Sequence, residues 1–337
     1  MKRVLVLISA VSLIAVSGFA QGKGNPPDQA ANGDIHRHHF DINPAGDNTI
    51  TPMPDETWID LGGAVGGNAV TTVTDQLTRP SFGHGIAGEA FRAAPLAANL
   101  TYHGGDVINT AKVVLIFWGP TWASGGSDNA RAVNLQAFRN QFGTNSHYGI
   151  ITQYYDTAFI NASNLAGSQP DWFDTSNALP SNGNVTDATV QAEVKRYVAA
   201  HGTNYSTVYE VFLPKYVPGT STLVYSSDGS STSCGGPGLA YCAYHSAYWN
   251  GSNYVKYSIE PYPSCSGCQW SGWTVVQNME HFVTHETREA VTDPLGNAWY
   301  DSSGQEADDK CAWTSLFLEN GYGYQPEWSN AINGCKQ

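Results

Sequence analysis

The sequence predicts a mixed α/β (α+β) fold, with a three-layer core around a buried mixed sheet and a loop-rich, disulfide-stabilised C-terminal part. Three observations predict it. Two apolar runs rich in β-branched residues are continuous enough to be strands buried on both faces. Helical periodicity stands between and beyond them, and strands alternating with helices imply a layered α/β core. All six cysteines fall beyond residue 230.

In chain order, Lys2 and Arg3 precede an apolar run, and small residues at Gly18 and Ala20 follow it, which reads as an export signal over residues 1–20. The run is too short for a membrane anchor, and no later segment is apolar for long enough to span a bilayer. Residues 21–98 are rich in Gly, Pro, Asn and Asp with little periodicity, so a poorly ordered low-complexity region or a prosegment is expected there. The cluster Ile35, His36, Arg37, His38, His39 inside it is expected to be solvated rather than metal-binding.

The folded domain is expected over residues 99–337. Residues 112–118 form the first buried strand, stopped by Gly119 and Pro120. A helix is expected over 128–142, with Val133, Leu135, Phe138 and Phe142 on its apolar side. A second helix is expected over 187–200, through Val190, Val194, Tyr197 and Val198. Residues 207–213 supply the second buried strand, and 240–247 and 254–262 two further strands. An amphipathic helix over 274–293 follows, ended by Asp293 before Pro294, since the residue before proline is pushed out of helical geometry.

Cys234, Cys242, Cys265, Cys268, Cys311 and Cys335 are disulfide candidates in an exported chain, and a single CxxC is a weak zinc signal. The formal net charge of -13 argues against nucleic acid or an anionic membrane as partner. The 18 Tyr and 10 Trp read first as core and loop aromatics and second as a carbohydrate-contacting surface.

Chemistry concentrates on the last helix. His285 and Glu289 are four apart, so they share one face one turn apart and can reach a common ion. Glu286 follows the first ligand, where the HExxH zinc peptidases keep the carboxylate that activates water. His281 and His285 form a competing pair, but Phe282 then stands where the base belongs, so His281 is assigned to the core or to support of a ligand. Downstream, the stretch 304–311 with its acidic run 306–309 is a candidate source of the third ligand. Two carboxylates and one imidazole neutralise Zn²⁺ and lower a bound water's pKa less than two imidazoles would. The same set therefore also suits a structural site, or a harder ion such as Ca²⁺ or Mn²⁺.

HETREAVTDP followed by NAWYDSSGQEADDKC resembles a block of bacterial secreted proteins similar to the plant phosphate-induced protein 1 (exordium-like) family. Gly104-Gly105, Val113 to Trp118 with Gly119-Pro120, and Tyr241-Cys242-Ala243-Tyr244-His245 resemble further landmarks, so the likeness covers about residues 102–335. It implies a secreted or cell-wall-associated protein with a zincin-like active-site helix. Metal ligands are then His285, Glu289 and Glu306, and Glu286 is the catalytic carboxylate. Asp309 would orient a ligand, with Asp293 as a further contributor or a structural turn residue.

Two functions from different classes follow as expectations. One is an exported zinc-dependent endopeptidase with a peptide or protein substrate, extracellular or periplasmic if the source has an outer membrane. The other is a non-catalytic extracellular protein whose metal and disulfides shape a surface for a protein or cell-wall polysaccharide. A Ser-His-Asp hydrolase is disfavoured, because no GxSxG stands between a strand and a helix.

Overall fold

The computed structural model describes residues 34–56 and 99–337; the expected export signal and residues 57–98 lie outside them. Strand β2 (Lys112–Trp118) is the unbroken apolar run, and its alternation shows why it is central. Val113, Leu115 and Phe117 pack into one core, while Val114, Ile116 and Trp118 pack into another on the opposite face. β3 (Trp172–Asp174) and β4 (Thr207–Phe212) pair parallel on its two sides. β6 (Tyr254–Glu260) is parallel to β4, and β5 (Tyr241–Trp249) returns antiparallel to β6. β1 (Asp34–Asp41) adds antiparallel to β5, giving the order β1-β5-β6-β4-β2-β3.

Helix α1 (Asn129–Phe142) and helix α3 (Val275–Thr292) cover one face, through Leu135, Phe138, Phe142, Met279 and Val283. Helix α2 (Asp187–His201) covers the other through Val190, Val194 and Tyr197. The mixed sheet and three layers match the expectation. Val133 does not: it is 54% exposed, and Ala132 takes its place on the inner side of α1. No helix among the described residues is long and apolar enough to cross a membrane.

α3 begins at a capping box, in which the Thr274 hydroxyl accepts from the Gln277 amide while the Gln277 side chain accepts from the Thr274 amide. It ends at Asp293, whose ψ of 59° departs from helical geometry ahead of Pro294. The helix is not amphipathic in its setting, for every residue from Asn278 to Thr292 is buried. Its charges must therefore find partners inside the protein. Arg288 does so with Asp308 and with Glu327 at 2.6 Å, which excludes a solvated acidic helix end.

The expectation of a poorly ordered region before residue 99 is corrected for residues 34–56. β1 carries little apolar surface, but an edge strand needs only a free backbone ladder and one anchored face. The anchor is Phe40, fully buried against Phe282 and the cysteines. Beyond it Asn43 donates to the Gly267 carbonyl, and Gly46 lies so close to Ser266 that a Cβ there would collide with its carbonyl oxygen. Asp55 then accepts from the Val275 amide at the start of α3, and Glu56 pairs with Lys215. The cysteines pair as 234–265, 242–268 and 311–335, so the two cysteines of the CxxC bond to different partners.

Candidate metal centre

α3 brings the expected pair together: His285 Nε2 and Glu289 Oε2 lie 3.0 Å apart, one turn removed on one face. Glu286 projects beside them toward the sheet, where its Oε2 accepts from His245 Nδ1 of β5 at 3.0 Å. His245 Nδ1 is also 3.9 Å from Glu289 Oε2.

The acidic loop closes over this group. Asp301 shapes it by accepting from the amides of Ser303 and Gln305 and pairing with Lys310 at 2.7 Å. The Asp309 amide then donates to Glu289 Oε1 at 3.0 Å, and Asp309 Oδ2 accepts from the Glu306 amide at 2.9 Å. Asp309 Oδ1 comes within 3.7 Å of His285 Nε2, so its carboxylate stands among the candidate donor atoms.

From the other side β1 delivers His38, with Nε2 2.6 Å from Asp309 Oδ2 and Nδ1 2.9 Å from Glu306 Oε1. Glu306 Oε2 completes the ring at 3.9 Å from His245 Nε2. Ligand-type atoms of His38, Glu289 and Asp309 all lie within 4.8 Å of one another, as do those of His245, Glu286 and Glu289. Glu289 is the shared member.

Burial dominates the electrostatics. It lifts Glu289 to about 8, and it lifts Asp309 to about 7, helped by the neighbouring Glu289 charge. Glu286 and Glu306 are pushed well above the usual carboxylate range, first by burial and then by surrounding carboxylates, Glu260 and Asp293 first among them. The His285 imidazole is pushed down by burial, against the pull of Asp308 and Asp309. So many carboxylates in a dry space must hold protons or a cation. His285 Nε2, Glu286 Oε1 and Glu289 Oε2 are buried and make no hydrogen bond. The His38, Glu289, Asp309 group and the His245, Glu286, Glu289 group each have the donor types and spacing for a divalent ion, around which bonds of about 2.0–2.1 Å hold tetrahedral ligands about 3.3 Å apart. Of the expected set His285, Glu289 and Glu306, Glu289 alone belongs to them, with His285 touching it from one turn away.

His281 lies beside the group. Its Nε2 is 2.8 Å from Gln325 Oε1, an oxygen also 3.5 Å from His285 Nδ1, so one amide steadies both rings. Burial lowers His281 to about 3. Asp293 serves the turn after α3, accepting from the amides of Asn297 and Ala298, with burial raising it to about 6.

Two members were not expected. The described part of the cluster at 35–39 is not free in solvent: Arg37 pairs with Asp187, His38 enters the centre, and His39 stacks on Tyr241 at 4.6 Å with its Nε2 2.9 Å from Asp228. The signal is an alternation, with His38 and Phe40 facing α3 while Arg37 and His39 face the other way. His245 is the second, a lone imidazole in an aromatic strand buried on both faces.

Comparison of the chain with protein-family models, with characterised proteins and with solved structures finds no match.

Proposed function

We propose that this chain is an exported, metal-dependent peptide hydrolase whose described form is closed. One observation carries the reading: Glu286 stands beside the His285–Glu289 pair, held through one oxygen by His245, with its other oxygen making no hydrogen bond. That is the placement of a general base next to a metal centre. A divalent ion bound there would polarise the scissile carbonyl. Glu286 would take the proton from the attacking water and pass it to the leaving amine, its raised affinity for a proton suiting the second task. His245 would keep its carboxylate aimed. Three disulfides support an oxidising compartment, and the resemblance to exordium-like secreted proteins points the same way.

A second reading is a structural metal in a binding protein. It is favoured by the closure of the centre, since His285, Glu286 and Glu289 are all fully buried.

The test uses the zinc-loaded protein, Glu286→Gln and Glu306→Gln. The reading expects about one ion per chain and chelator-sensitive peptide cleavage in the active form, whether intact or with β1 released. Glu286→Gln should keep the ion and lose roughly two orders of magnitude or more of cleavage. Glu306→Gln should lose affinity for the ion. No bound ion sinks the proposal, and cleavage indifferent to Glu286 transfers it to the structural reading.

A further inference from the structure

β1 sits at the outer edge of the sheet, antiparallel to β5, with Arg37 opposite Ser246, His38 opposite His245, His39 opposite Tyr244 and Phe40 opposite Ala243. Its side chains do what those of a bound peptide would do. On the α3 side His38 reaches Asp309 and Glu306. Two residues on, Phe40 fills an apolar pocket, its ring 4.1 Å from that of His285, 5.1 Å from Trp313 and 5.7 Å from Phe282. On the other side Arg37 pairs with Asp187 at 3.2 Å and His39 with Asp228 at 2.9 Å. Backbone pairing along an open edge, with alternate side chains read by pockets, is how extended peptides are recognised.

We infer that β1 is a built-in occupant of a peptide groove along β5, and that the intact chain is latent because His38 and Phe40 hold the places of a substrate. This inference rests on the hydrolase reading. The groove then takes an extended peptide with an aromatic side chain two residues beyond the one over the centre, and with basic or imidazole side chains on either side of that residue. The chain after the Pro44–Ala45 bond is pinned independently of β1, by Asp47 on Ser266 and Gly267 and by Asp55 on α3. A break in this exposed stretch therefore frees β1 together with residues 42–44, whose backbone bonds to Ala240 and Gly267 must open with it, and leaves the segment from Asp47 in place.

The experiment inserts a site-specific protease sequence between Pro44 and Ala45. The full chain is folded with zinc, cut, and freed of the released segment by gel filtration. The probe is a fluorescent synthetic peptide with the sequence of residues 34–42. The stripped protein should bind it, and uncut protein should bind it at least roughly a hundredfold more weakly. Replacing the residue equivalent to Phe40 by Ala in the probe should weaken binding roughly tenfold or more, and a scrambled probe should not bind. Chelator-sensitive cleavage of aromatic-containing peptides should rise on stripping.

A stripped protein that keeps its metal and its cooperative melting but ignores the probe, or binds the scrambled one equally, overturns the inference. Loss of metal and fold on stripping also overturns it, since His38 would then be a permanent ligand. The uncut His38→Ala, Phe40→Ala double variant gives an independent reading, with cleavage expected to rise above that of the uncut parent; no rise counts against latency. If the stripped protein binds the probe while its Glu286→Gln form cleaves peptides equally well, the groove stands and the hydrolase reading falls.

Discussion

The imidazoles of His38 and His245 lie face to face, centroids 5.7 Å apart and planes within 5°, at directly paired positions of β1 and β5. Each reaches a different acid. His38 meets Glu306 and Asp309 of the loop, while His245 meets Glu286 of the helix. The sheet edge thus adds an imidazole to each of two pieces of the centre that α3 already joins through Glu289 with Asp309 and Arg288 with Asp308.

His245 is expected to act through Glu286. His245→Ala removes the donor that aims that carboxylate and should lower metal affinity or turnover roughly 10–100-fold, the usual scale for groups that orient a metal site. Competition with a coloured chelator measures the first and peptide cleavage the second. Both unchanged would remove His245 from the centre.

Arg288→Met should destabilise the fold strongly. The guanidinium is fully buried between Asp308 and Glu327, and its loss leaves two buried carboxylates without their cation. Breaking such a pair costs about 3–5 kcal/mol. Urea unfolding of parent and variant gives the difference, and a loss below about 1 kcal/mol, the scale of an exposed pair, contradicts the assignment.

Thr274→Ala tests the start of the ligand helix. It removes the hydroxyl that accepts from the Gln277 amide, at a cost of about 1 kcal/mol. The unfolding midpoint should fall with an unchanged denaturant slope.

Stability of the metal-free protein should fall as pH rises from 5 to 7. Burial lifts Glu289 and Glu210 to about 8 and Asp309 to about 7, against about 4 in an unfolded chain. Across that window the folded state holds protons that the unfolded state has released, so raising pH favours unfolding. His281 and His285, both pushed down by burial, work the other way, but they are outnumbered once Glu286, Glu306 and Glu260 join the raised acids. Lys256, lowered to about 7 by burial, adds stability only above that pH. Metal binding needs these carboxylates ionised, so zinc affinity should rise over the same window. Urea titrations of chelator-treated protein at the two pH values decide it; greater stability at pH 7 contradicts the prediction.

Much of this architecture is legible locally. The Asp293-Pro294 stop marks the end of α3 without any knowledge of the fold, and the continuous apolar run of β2 announces a strand covered on both sides. The pairing of His285 with Glu289, and the position of Glu286 beside them, follow from helical geometry alone. His38 and His245 are illegible for a physical reason. Strand residues acquire partners across the sheet, and nothing near residue 38 says that its neighbour will be residue 245. Composition misleads further at β1, where imidazole and guanidinium groups score as solvent-facing although an acidic interior is waiting for them. Glu210 carries the same lesson, a carboxylate inside a buried strand whose partner is Thr287 at 2.5 Å.

His38 and Asp309 stand 271 residues apart in the sequence yet touch at the centre. Their meeting joins the opening strand to a loop near the C-terminus, and the closing of so long a loop is an entropic cost repaid only when both ends have docked. A chain still emerging, or one broken short of the acidic loop, cannot assemble the full donor set. An ion held by α3 and the acidic loop would arrive only after that loop has docked on the helix, so metal content in a preparation would count chains finished through the loop rather than folded helices.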